Sequence, residues 1–143
     1  MATQQSETLH LEVATPTGLA LKADAESVQA PSVNGEFGVF PGHLPLLASL
    51  KSGALKYRVA GKEHVAAVGP GFAEAGPDKV TVLTDLFVAG EDIDKAGAEK
   101  DLADANARMT AFKGENDTAE YEEIIRDAEW AQARIDVAVE ASR

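Results

Sequence analysis

Three histidines, His10, His43 and His64, are the residues of this sequence best suited to ligate a metal or move a proton. None has a second histidine or a carboxylate at the spacing of a zinc motif, and there is no cysteine to supply a thiolate. His10 and His64 fall on the polar phase of strand-like alternations, so each reads as a surface or hydrogen-bonded histidine. No G-x-S-x-G elbow marks a serine nucleophile. The carboxylates of the second half lie on the solvent faces of helical patterns, where a solvated acidic face is the simpler reading than an acid/base pair. Two glycine-rich stretches could cradle a phosphate. "GEFGVFPG" has glycines at 35, 38 and 42, which fits neither G-x-G-x-x-G nor G-x-x-x-x-G-K-[ST], and neither a lysine nor a helix start follows it. "GPGF", at 69–72, sits between strand-like runs and reads as a turn or bulge. The expectation is a chain that is not an enzyme, with no catalytic residue, no metal site and no nucleotide cradle.

The stretch 35–47, "GEFGVFPGHLPLL", remains unexplained by chemistry. It is too broken for a helix and too apolar for an ordinary loop, and its one charge is Glu36. Exposed apolar loops mark interaction surfaces, which makes this stretch a candidate for being covered by another protein. On the other reading its glycines and prolines shape a tight connection while Phe37, Val39 and Leu46 fill the core. Both can hold.

The elements that must carry this stretch divide the chain in two. All six prolines and ten of the twelve glycines precede residue 91. In "LHLEV", Leu9, Leu11 and Val13 alternate with His10 and Glu12, the period of a half-buried strand. "ALKYRV", the turn "AGKE" and "HVAAV" make one hairpin over 54–68. A second is expected around "GPDK", at 76–79, between "GFAEA" and "VTVLTDLFV". Short strands with turn signals every 8–12 residues or so point to a β-sandwich, assigned to residues 1–90. Residues 91–143 read as an antiparallel helical hairpin. Leu102, Ala105, Met109 and Phe112 share one face of the first helix, capped by Asp92 or Asp94 and ended by a left-handed Gly114. Asp117 and Glu120 resemble a capping box for the second, whose seam is Tyr121, Ile124, Ala128, Ala131, Ile135 and Ala138. Alanine methyls bury little area, so the hairpin should lean on the sandwich or on a partner and is a candidate moving part.

The net charge of −11 repels nucleic-acid phosphates and anionic lipid headgroups alike. It is concentrated in the helical part, with 15 acids against 7 bases over 91–143. The longest uncharged run, 37–50, is broken by Pro41 and Pro45 and is shorter than the ~20 apolar residues of a membrane-spanning helix. The opening "MATQQSETLHLEV" lacks the marks of a signal or transit peptide, so a bacterial origin is expected.

"NGEFGVFPGHLPLLASLKSGALKYRV" resembles the signature G-E-[FL]-G-[IVM]-x-P-G-H-x-P-[LM]-[LV]-x-x-[IL]-x-x-G of the epsilon subunit of the F-type ATP synthase, and the likeness covers nearly the whole chain. "GFAEAGPDKVTVLTD" and "GEDID" are similar to the end of that family's sandwich and its passage into the helices. The resemblance implies a non-catalytic central-stalk subunit, with the gamma subunit and the ring of membrane-embedded c subunits as partners. It implies a helical arm that reaches the α/β hexamer and restrains ATP hydrolysis. It places the chain at the cytoplasmic face of a bacterial inner membrane, attached through partners and not by inserting itself. Partner contact is expected at Glu36, Phe37, Gly38, Val39, Phe40, Pro41, Gly42 and His43, with Glu36 against the polar loops of the c ring.

Two departures modify these expectations. ATP-binding members carry [IL]-D-x-x-R-A; here "IDKAGA" keeps Ile93, Asp94 and Ala98 but has Gly97 in place of arginine. Loss of the guanidinium removes a strong phosphate anchor, so ATP binding is expected to be weak or absent. Over 115–143 three arginines, Arg126, Arg134 and Arg143, stand against nine acids, which opposes docking on an acidic partner segment and predicts weak inhibition. A free-standing adaptor, with the sandwich and arm joining unrelated proteins, is the alternative reading.

Overall fold

Alternation of apolar and polar residues builds ten strands before residue 90: β1 (Leu9–Thr15), β2 (Gly18–Ala25), β3 (Ser27–Ser32), β4 (Gly35–Val39), β5 (Leu46–Leu50), β6 (Gly53–Val59), β7 (Lys62–Val68), β8 (Gly71–Ala75), β9 (Lys79–Thr84) and β10 (Phe87–Ala89). A computed structural model describes residues 7–143; the first six residues of the 1–90 segment lie outside the described part. The strands run in the order β10-β7-β6-β3-β5-β8-β9-β1-β2, with β4 hanging from β3 alone. β1 and β9 pair in parallel, and the remaining pairs are antiparallel. The path curls until β2 lies against β6, giving a sandwich around one core. Leu9, Leu11 and Val13 face inward with Val80 and Val82 from β9 and Leu55 from β6, all fully buried.

The hairpin expected over 54–68 forms as β6–β7. Its turn places Ala60 at φ 49° and Gly61 at φ 78°, the two positive angles of a two-residue turn that matches strand twist. The hairpin around 76–79 forms as β8–β9. The run "VTVLTDLFV" is not one strand. It breaks after Thr84, whose buried hydroxyl shares its one proton between the carbonyls of Pro70 (3.1 Å) and Leu86 (3.2 Å) and accepts from Leu86 N (3.3 Å), and the chain then crosses to pair β10 with β7.

A 3-10 turn, Gly90–Asp92, leads into α1 (Lys95–Ala111) and α2 (Ala119–Ala141). Asp94 is the N-cap, accepting from Gly97 N at 3.0 Å. Gly114 does not adopt the left-handed conformation. α1 stops at Ala111 and leaves through extended Phe112, whose ring packs on Tyr121 at 5.2 Å; a Cβ on Gly114 would come within 2.7 Å of that ring. Thr118, not Asp117, caps α2, its hydroxyl accepting from Tyr121 N at 3.3 Å.

The expected seam exists in α2, where Ile124 and Ala131 are buried and Tyr121, Ala128, Ile135 and Ala138 are half-buried. A second apolar face carries Ala133 and Val137, also buried, and the C-terminal half of α2 packs on β6 and β7 through it. Two residues advance a helix by about 200°, so Ala131 and Ala133 look in nearly opposite directions. Gly90 permits the approach: a Cβ there would lie 2.6 Å from the Val65 carbonyl oxygen and 2.9 Å from Ala141 Cβ. The arm therefore leans on the sandwich chiefly through α2.

Candidate functional site

The stretch 35–47 is part strand and part loop. Its first five residues are β4, and its last two, Leu46 and Leu47, open β5. Ser32 shapes the entry: its hydroxyl donates to the Gly35 carbonyl and accepts from Asn34 N at 3.1 Å, while Gly35 takes φ 118°. The loop 40–45 is tied down by Gly42, at φ 88°, whose N–H donates to the Pro77 carbonyl at 2.7 Å. His43 donates from its backbone N–H to Phe40 O at 3.1 Å, and its Nδ1 donates to the Leu44 carbonyl.

The eight residues expected to meet partners therefore divide. Val39 is fully buried and Phe37 packs against the core, so these two build the strand. Glu36, Gly38, Phe40 and Gly42 are exposed, and Pro41 and His43 are half-buried. Glu36 lies on the outer face of β4 and accepts a hydrogen bond from Gln29 Nε2 on β3. It borders a groove of about 550 Å³ between the sandwich and α2, across from Gln132 and Asp136.

A larger exposed surface escaped the sequence reading. Phe72 on β8 pairs directly with Leu83 on β9, and Ala14 on β1 pairs with both Leu83 and Leu19. These side chains form a row across the outer face that meets Ser49 on β5, directly opposite Phe72, while Leu47 stands two residues away on the same strand, opposite Glu74. Leu19, Phe72 and Leu83 are 53–56% exposed, an apolar row open to water, and Leu47 nearby is 71% exposed. The signal was present in "VTVLT": with Val80 and Val82 facing the core, Leu83 must face out. Phe40 and Leu44 add 64% and 79% exposed side chains at the foot of the sandwich.

The histidines are engaged locally. His10 contacts Glu12 Oε1 at 3.0 Å and Asp24 Oδ1 at 3.3 Å. That bond to His10, aided by Lys79 at 3.5 Å, holds the Glu12 carboxyl below its ordinary value. His64 is not on the polar phase; it pairs across β6–β7 with Tyr57 and stacks on it at 5.2 Å. Burial, with Glu91 secondary, raises the Tyr57 phenol above its usual value. Among the described residues no group of three His, Cys, Asp or Glu side chains is placed to hold a metal ion.

In the degenerate motif, Asp94 is used as a cap and Ala98 is fully buried, while Gly97 leaves room for the Asp94 carboxylate. A cleft of about 730 Å³ beside the two helices holds Arg108 and Arg134. Both guanidinium groups are already paired, Arg108 with Asp127 at 2.8 Å and Arg134 with Asp101 at 3.0 Å, and Arg134 also lies 5.4 Å from the Trp130 ring centre. Among the described residues no helix is long and apolar enough to cross a membrane.

The profile of the family described as ATP synthase, Delta/Epsilon chain, beta-sandwich domain matches residues 8–90. The ATP synthase epsilon chain of Desulfitobacterium hafniense is 38% identical over 138 residues, spanning 95% of this chain and 97% of that one. That of Nitratidesulfovibrio vulgaris is 40% identical over 122 residues, 85% of this chain and 91% of its own. In shape, the chain superimposes on one from the cryo-EM structure of the Euglena gracilis mitochondrial ATP synthase, OSCP/F1/c-ring, with a TM-score of 0.79 at 21% identity, covering 97% of this chain and 86% of that one. With the β-sandwich, the signature on β4 and the helical pair all in place, this chain belongs to the ATP synthase epsilon-chain family.

Proposed function

We propose that the chain is a non-catalytic stalk subunit that binds the gamma subunit through its sandwich and the c-subunit ring through the foot around Glu36, coupling proton flow to ATP synthesis. The observation that carries this reading is the exposed apolar row Leu19–Leu83–Phe72, with exposed Leu47 nearby, a kind of surface that marks an interaction site. Its occupant under this reading is gamma. The foot, with one carboxylate fixed by Gln29 among exposed Phe40 and Leu44, suits the polar loops of the ring. The similar solved chains come from an OSCP/F1/c-ring particle and a central stalk/c-ring particle, which supports the same placement here. The chain would then sit at the cytoplasmic face of a bacterial inner membrane, held by these partners.

The arm under this reading has little grip on ATP or on an acidic catalytic subunit. Both arginines of the interhelical cleft are neutralised by aspartates, and Asp104 adds a further negative charge. ATP binding is therefore weak or absent and restraint of hydrolysis weak.

The test is co-purification with gamma, alone and with the c ring. The expected result is a stable complex that Phe72→Asp and Leu83→Asp each weaken at least tenfold. Glu36→Ala and His43→Ala are expected to keep gamma, with Glu36→Ala losing the ring. Failure of the unaltered chain to bring down gamma would overturn the proposal.

A further inference from the structure

The turn into β4 carries the pair Asn34–Gly35, and it leaves the asparagine side chain idle. Its hydrogen bonds are made by other groups: the Ser32 hydroxyl donates to the Gly35 carbonyl and accepts from Asn34 N at 3.1 Å, and Val33 N donates to Ser49 O at 3.0 Å. Among the described residues nothing hydrogen-bonds the Asn34 carboxamide. Val33, Asn34, Gly35 and Glu36 are all exposed, so water reaches the whole tip.

A carboxamide so placed is an electrophile beside a nucleophile. The main-chain nitrogen of the next residue and the asparagine Cγ close a five-membered ring wherever the main chain can turn one onto the other. Two things ordinarily prevent this: a side chain on the next residue, and a main chain held in regular structure. Gly35 has no side chain, and it sits at φ 118° where even an added Cβ would meet nothing within 4 Å. The rung Ser32–Gly35 is the last of the β3–β4 hairpin, and terminal rungs open locally at little cost in free energy. The other two asparagines each lack a condition. Asn106 lies inside α1, where the Ala107 N–H is committed to the helix ladder. Asn116 is exposed in the 112–118 loop but is followed by Asp117, whose side chain and charge shield the nitrogen.

We infer that Asn34 is a site of spontaneous deamidation, with water the only co-reactant. The Gly35 nitrogen gives up its proton and bonds to Asn34 Cγ; the Cγ–Nδ2 bond then breaks, and the amide nitrogen leaves with that proton as ammonia. Water opens the resulting succinimide at either carbonyl. Attack at Cγ gives aspartate, and attack at the main-chain carbonyl gives isoaspartate, in which the chain runs on through Cγ. Either product puts a new carboxylate two residues before Glu36. Isoaspartate also lengthens the main chain by one methylene between Ser32 and the Gly35 carbonyl that its hydroxyl holds, which breaks that bond. The inference stands apart from the proposed function, since the reaction needs neither gamma nor the ring.

Peptide mapping by mass spectrometry of the full-length subunit, folded and kept at mildly alkaline pH, tests the inference. A gain of about 1 Da is expected at Asn34, accumulating about tenfold or more faster than at Asn116 or Asn106. Part of the product should accept a methyl group from protein isoaspartate methyltransferase. Hydroxylamine, which traps the succinimide, should cut the chain between 34 and 35. Asn34→Gln should abolish both signals while leaving the circular dichroism of the sandwich unchanged, because its ring closure needs a sixth atom. If Asn34 stays intact in the folded chain while the same chain in urea deamidates there, the turn protects it and the inference is overturned. Modification of Asn116 ahead of Asn34 would overturn it equally.

Discussion

Lys56 Nζ on β6 stands 3.6 Å from Glu140 Oε1 on α2, and among the described residues this is the one ion pair joining the arm to the sheet. Both side chains keep partial contact with water, at 26% and 37% exposure, so the pair contributes about 0.5–1 kcal/mol. Glu140→Lys should loosen the arm and speed proteolytic cleavage at 90–94. The double exchange Lys56→Glu with Glu140→Lys should restore most of the protection. Equal cleavage of all three chains would show that the pair contributes nothing.

Gly71 is fixed by sterics. A Cβ there would stand 1.9 Å from the Leu83 carbonyl oxygen, and backbone cannot move aside as a side chain can. Gly71→Ala should destabilise the sandwich by about 3 kcal/mol, read from the urea midpoint, because β8 and β9 must separate. Gly76→Ala, with open space around the added methyl, is the control and should be nearly neutral.

Tyr57 carries the alkaline dependence of the fold. Its phenol is raised by burial and then by Glu91, so its neutral form is favoured in the folded state. Stability from this group is fully present below pH ~10, the ordinary phenol value, and is lost as pH rises through the higher folded value. Absorbance at 295 nm in the folded chain should show Tyr57 ionising above the ordinary phenol value, a step that Tyr57→Phe abolishes; its absence would contradict the assignment.

The arm's charge leads to two measurements, one on the assembled enzyme and one on the subunit alone. Deleting 91–143 should change the ATP hydrolysis rate less than twofold, since a strongly acidic arm is repelled by an acidic partner. Isothermal titration of the whole subunit should show no submillimolar affinity for ATP, because Arg108 and Arg134 already bind Asp127 and Asp101. A several-fold rise in hydrolysis, or submillimolar affinity, would reverse the respective expectation.

Legibility in the sequence followed periodicity. β1 and β6 could be read from strict alternation, β7 from the turn that precedes it, and the helical pair from its three- and four-residue spacings. β2 to β5 could not: β3 contains Pro31, β4 contains two glycines, and Ala20, Ala23 and Ala25 in β2 fall on both faces and blur inside and outside. The second face of α2 was hidden because Ala133 and Val137 interrupt no charge pattern and their meaning depends on β7 lying beneath them. In the signature stretch the sequence offered both an exposed surface and a core role for Phe37 and Val39, and the structure has both. What was not legible is that 35–39 form a strand, since two glycines mask the alternation that the pairing with β3 reveals.

The parallel pairing of β1 with β9 sets an order of events. Leu11 sits beside Val80, so the first strand has only the β2 hairpin for company until the chain has been made through Thr84. Contacts so distant along the chain form slowly, because a long loop must close before they give any stability. The Ala54–Ala67 floor beneath α2 belongs to a local hairpin and can be ready sooner. A chain emerging from the ribosome therefore meets its arm at about the moment β1 and β9 pair to complete the sandwich. The arm's landing place is waiting before the far side of the sheet is complete.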